Sequence, residues 1–205
     1  MVLLQYFLRY RLKSSKAFIK KNYKVINIIS GCLLIVIGIL MSFAGNSRPA
    51  SGSEHHLSHY FEITGILDDA PYFSHGIDVI YSAVVTAAVR DKVLATEKPK
   101  AFVHDAAAWE AEIRRIYSSS ADEVIKLQKK MGWYDVDGYQ NVCEKWDQLK
   151  AILATAPTQE QMLEMVRRIG LDYNEFIKLY GQKKIDDAIL YAKDLKDRYS
   201  VLWLA

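Results

Sequence analysis

From residue 46 to residue 205 apolar side chains recur at helical spacing almost without a break, and that periodicity narrows the fold more than any motif does. Only 10 Gly and 4 Pro stand in 205 residues, too few for the tight turns of an all-β fold. The pattern predicts helices over Ser53–Thr64, Phe73–Leu94 and Asp105–Tyr117, with Glu97-Lys98-Pro99 ending the second. Ser120 with Glu123 reads as a capping box for a helix to Met131, and Thr158 with Gln161 as another for a helix to Ile169, stopped by Gly170. Between them Tyr139–Thr155 reads as one helix. Asp172 caps a helix through Leu179, and Ile185–Tyr199 reads as the last long one. Trp109, Trp133, Trp146 and Tyr191 sit at core-like spacings. The expectation is an all-α, multi-helix domain preceded by an apolar N-terminal helix.

The first 45 residues are built differently. Val25–Gly45 (VINIISGCLLIVIGILMSFAG) carries no charge and has no polar face. It matches the roughly 20 apolar residues that cross a bilayer core. A spanning helix is one reading, a helix buried in a globular core another. A signal peptide cleaved near Ser42-Phe43-Ala44 is the third. Seven basic residues and no acidic one precede Val25, so the N-terminal side of a spanning helix stays cytoplasmic. Residues 1–24 mix apolar and basic positions, as an interfacial helix on anionic lipid or a solvated leader does. The chain thus divides into a basic arm (1–24), a transmembrane or buried apolar helix (25–45) and a helical domain (46–205). The run KVINIISGCLLIVIGIL also resembles the last transmembrane helix of the cytochrome c biogenesis family. The formal net charge is +3 and the basic excess lies in the arm, which excludes nucleic-acid binding by bulk charge. Cys32 and Cys143 form no CxxC pair and read as buried free thiols.

The chemistry-bearing residues are histidines. His55, His56 and His59 lie in EHHLSH, His75 in SHGID, and His104 stands apart. His55 and His59 are four apart and share a helix face. His75 follows a loop able to return to that helix. Imidazole suits zinc and other borderline divalent metals, and a catalytic site wants three protein ligands with one open position. The pattern is not HExxH, because His56 rather than a glutamate follows His55. Spacing alone leaves metal ligation and surface or capping histidines open.

The segment MSFAGNSRPASGSEHHLSHYFE, followed by HGIDVIYSAVVTAAV and ending in YAKDLKDRYSVLWLA, closely resembles the sn-glycerol-1-phosphate dehydrogenases. These belong to the iron-containing alcohol dehydrogenase and dehydroquinate synthase-like superfamily, and the likeness runs from Met41 to Ala205. It implies the helical C-terminal domain of that fold. It implies NAD(P)H-dependent reduction of dihydroxyacetone phosphate to sn-glycerol 1-phosphate, with zinc or another divalent metal as Lewis acid. Carried across, His55 and His75 are metal ligands, and His59 lines the substrate pocket as the catalytic proton relay. His56, about 100° round the helix, points elsewhere. Arg48, Ser51 and Ser53 are candidate donors to the substrate phosphate, alternatively a solvated, capped loop.

The family's remaining metal ligand is an Asp in its nucleotide-binding half, which also holds the glycine-rich phosphate turn. No such turn and no βαβ pattern occur here, and the membrane-type run stands upstream of Met41. The expectation is therefore a C-terminal fragment, inactive alone, whose partners are that missing half and the family's substrate. Its location is cytoplasmic by family, or membrane-associated if Val25–Gly45 spans. The competing readings are a membrane-tethered helical interaction module and a nonfunctional chimeric product.

Overall fold

The computed structural model describes residues 52–99, 104–135 and 138–205, together with Ser42. The basic arm, the apolar run except Ser42, Cys32, Arg48, Ser51 and the divisions at 24/25 and 45/46 fall outside these residues. Among the described residues there is no strand. There is also no helix long and apolar enough to cross a membrane. The all-α expectation holds.

Among the described residues eight α-helices follow one another: α1 (Ser53–Leu67), α2 (His75–Ala95), α3 (Ala106–Tyr117), α4 (Ala121–Met131), α5 (Tyr139–Glu144), α6 (Trp146–Leu153), α7 (Gln159–Arg168) and α8 (Tyr173–Tyr191). Short 3-10 turns stand at Ser118–Ser120, Ala192–Leu195 and Val201–Leu204. The core is a sandwich of aromatic and β-branched side chains. Leu57, Tyr60 and Phe61 of α1 meet Tyr81, Val84 and Val85 of α2, with Ile113 and Tyr117 of α3, Phe176 of α8 and Leu202 closing over them. Burying each such side chain stabilises the fold by roughly 1.5–3 kcal/mol. Edge-to-face rings (Phe61 on Phe176, Tyr60 on Tyr117) fix which helix faces meet.

Several boundaries differ from the expectations. Thr158 and Gln161 do form the capping box, and Asp172 does cap α8 through the Asn174 amide. Ser120 makes no cap bond, because the chain enters α4 already helical from the Ser118–Ser120 turn. The single helix expected over Tyr139–Thr155 breaks at Lys145, which leaves helical angles and serves as the end of α5 and the start of α6. The last helix does not reach Tyr199. Helix α8 runs on past Leu179 to Tyr191 with an internal break at Gly181, and the chain then ends in 3-10 turns. Gly181 sits at φ 72, ψ 156, a conformation essentially reserved for glycine. Cys143 is exposed rather than buried, since its short helix buries none of its residues.

Candidate metal centre

Helix α1 carries most of the site. His55, His59 and Glu62 stand at i, i+4 and i+7, which places all three on one face. At the start of α1 the Glu54 carboxylate accepts the Gly52 amide at 2.8 Å and the His55 Nδ1 at 3.1 Å. Burial pushes this carboxyl up, but hydrogen bonds from its own amide, the His55 ring and the Gly52 amide outweigh that and hold it below its ordinary value. An anion also suits a helix N-terminus. The effect is to fix the His55 ring, with Nδ1 occupied and Nε2 left to accept.

His75 reaches the same face because the connecting loop turns back. The Ala70 amide donates to the Gly65 carbonyl at 2.9 Å, and the Tyr72 ring lies over Gly65. A Cβ at Gly65 would stand 2.6 Å from that ring, so the close approach requires glycine. Ser74 then precedes α2, with His75 as its first residue. The Glu62 carboxylate bridges the two imidazoles, its Oε1 3.0 Å from His75 Nδ1 and its Oε2 3.2 Å from His59 Nδ1. Ser58 Oγ also lies 3.2 Å from His75 Nδ1. Ring centroids are 5.2 Å apart for His59 and His75, 5.5 Å for His55 and His75, and 6.5 Å for His55 and His59.

One donor atom each from His59, Glu62 and His75 lies within 4.8 Å of the others. Two imidazoles and a carboxylate are a donor set for a borderline divalent cation, and the His75 side chain, 46% exposed, leaves the cluster open on one side. The three histidines singled out by spacing are therefore brought together. The tightest group, however, is His59, Glu62 and His75, with His55 alongside it. Glu62 escaped the sequence reading, although its position three residues beyond His59 is a same-face signal.

The neighbouring candidates divide. Ser53 is buried in the first turn of α1. His56, expected to point away from the cluster, points into the core: it is fully buried, neither ring nitrogen has a partner, and burial, aided by Lys196 and Arg198, pushes it down to about 4. The 3-10 turn at Ala192–Leu195 packs against α1. Gln128 Nε2 holds the chain there through the Asp194 carbonyl at 2.8 Å and the Lys196 carbonyl at 3.2 Å. From that position Lys196 acts electrostatically on His59, whose ring is driven down first by burial and then by this cation. Asp78, one turn beyond His75, is fully buried, and burial pushes its carboxyl up to about 7.

Curated relatives bear on what these histidines do. All seven share one name, glycerol-1-phosphate dehydrogenase (NAD(P)+). The Bacillus licheniformis enzyme is 28% identical over 171 residues, covering 82% of this chain and 32% of its own length. The Geobacillus thermodenitrificans enzyme is 32% identical over 111 residues, covering 51% of this chain and 26% of its own. That from Korarchaeum cryptofilum is 44% identical over 54 residues, covering 26% and 17%. The chain thus spans about a third of the length of the Bacillus licheniformis relative and less of the other two. The likeness to glycerol-1-phosphate dehydrogenases runs mainly through the C-terminal part. The N-terminal likeness to a cytochrome c biogenesis helix gains no support from them. No family model matches the chain, and no solved structure matches it.

Proposed function

We propose that this chain is the metal-binding helical half of a glycerol-1-phosphate dehydrogenase. It would act in the NAD(P)H-dependent reduction of dihydroxyacetone phosphate to sn-glycerol 1-phosphate. The observation that carries the reading is the convergence of His55, His59, Glu62 and His75 from two adjacent helices. It is supported by the shared name of the relatives.

His55 and His75 would hold zinc or another divalent cation, with Glu62 either completing the set or holding the imidazoles in the ligating tautomer. A bound metal would supply Lewis-acid stabilisation of the charge developing on the substrate oxygen. His59 would serve as the proton relay at the substrate, with Glu62 orienting its ring through Nδ1. Lys196, whose amine has no ion pair among the described residues, adds positive charge beside these imidazoles. Together with Arg48, Ser51 and Ser53 from the sequence, it suits an anionic, phosphate-bearing substrate. The hydride would come from a nucleotide-binding half supplied as a partner. A cytoplasmic location goes with this reading, and membrane association with a spanning 25–45 segment.

Metal binding tests it. The purified chain should bind about one equivalent of Zn²⁺, and a His55→Ala, His75→Ala double variant should lose it while keeping its helical circular dichroism. Equal zinc uptake by parent and variant would instead favour a helical interaction module without chemistry.

A further inference from the structure

We propose that Tyr180 is a positioning residue for the metal cluster, its phenol clamping the two ligand-bearing helices to each other. The inference rests on the reading of His75 and the face of α1 as metal-holding.

Tyr180 lies on α8, more than 100 residues from His75 in sequence, yet its hydroxyl makes bonds on both sides of that histidine. It accepts the Phe73 amide at 3.1 Å, two residues before His75. It donates to the Asp78 carboxylate, at 2.8 Å from Oδ1 and 2.9 Å from Oδ2, one turn after His75. The ring stacks on Phe61 with centroids 4.1 Å apart and planes at 18°, and Phe61 directly precedes Glu62 on α1. The Phe73 ring meets it edge-on at 6.0 Å. One side chain therefore fixes the entry to α2, the first turn of α2 and the stretch of α1 that presents Glu62.

The arrangement is rigid for physical reasons. Asp78 is fully buried and Tyr180 nearly so, so water cannot replace the bonds between them. The backbone break at Gly181 immediately follows Tyr180, so the first segment of α8 ends there and the chain redirects. Without the hydroxyl, the Phe73 amide and the Asp78 carboxylate would each lose a partner. The loop carrying His75 would then keep the Ala70–Gly65 bond, the Tyr72 contact and the Glu62 and Ser58 contacts of the His75 ring, but lose its anchor on either side of that histidine.

The test is Co²⁺ binding to the full chain, read as affinity and as the visible ligand-field spectrum. Tyr180→Phe should weaken Co²⁺ binding about tenfold and shift the spectrum, as loss of groups that orient metal ligands does. Tyr117→Phe is the control. It removes the hydroxyl of another buried tyrosine, bonded to the Tyr191 carbonyl at 2.9 Å, and should change neither readout. If Tyr180→Phe does not fold, the Asp78 pair decides. Asp78→Ala should reproduce the weakened binding, and Asp78→Asn, which keeps an acceptor oxygen, should restore most of it. Parent-like affinity and spectrum in Tyr180→Phe or Asp78→Ala, or an equal loss in Tyr117→Phe, would overturn the clamp. A parent chain that takes up no Co²⁺ removes the metal reading itself, and the clamp with it.

Discussion

Asp194 is a carboxyl in a place that disfavours its charge. It is fully buried, accepts the Tyr134 hydroxyl at 2.6 Å through one oxygen and leaves the other without a partner. Burial pushes it up to about 6. The unfolded chain releases that proton near 3.9. Between those values the folded state holds more protons than the unfolded one, so stability falls as pH rises through about 4 to 6 and stays lower above. Asp194→Asn should remove that loss, on the order of 2 kcal/mol between pH 4 and 7. Urea unfolding of parent and variant at several pH values would show it, and parallel pH dependences would refute it. The histidines of the site were legible as residues, because i, i+4 spacing and the SRPASGSEH and HG motifs are local. Glu62 was not, since carboxylates on helix faces are common and only the returning loop shows which ones meet an imidazole. Lys196 and Tyr180 were out of reach of any local pattern. Tertiary packing alone brings them to the cluster from the far end of the chain.

At the scale of the element, the breaks matter more than the helices. Gly181 interrupts α8 in a backbone region that L-residues avoid, although a Cβ there would meet nothing within 4 Å. The cost of Gly181→Ala is therefore backbone strain and not a clash, about 1–3 kcal/mol of destabilisation. Gly76, inside the first turn of α2 and equally free of neighbours, has no such strain. Gly76→Ala should leave stability unchanged or raise it by up to about 1 kcal/mol. Thermal melts of the two variants separate the cases, and equal shifts would show that the break is not what holds Gly181. Helix existence was readable from period and caps, as Thr158 and Asp172 show by capping as expected. The interruption at Lys145 was not, because a lysine inside a periodic run carries no local sign of a break. The gap left between Leu179 and Ile185, by contrast, already bracketed the break at Gly181.

On the scale of the whole molecule, the described residues are helices around one aromatic core, and the match covers about a third of the Bacillus licheniformis relative. Under the proposed function this polypeptide on its own should not oxidise NADH in the presence of dihydroxyacetone phosphate. Adding a nucleotide-binding half in trans should restore turnover, and robust turnover by the chain alone would remove that part of the reading. The four residues of the cluster fall between positions 55 and 75, on a helical hairpin with a short return loop. Collecting them closes a small loop and costs little chain entropy. Under the proposed function a nascent chain can therefore gather these groups as soon as the hairpin emerges, well before α8 is synthesised. Under the same proposals Tyr180 would arrive afterwards to lock the geometry, so that capture of an ion and final precision of its cage would be separate steps in the life of the molecule.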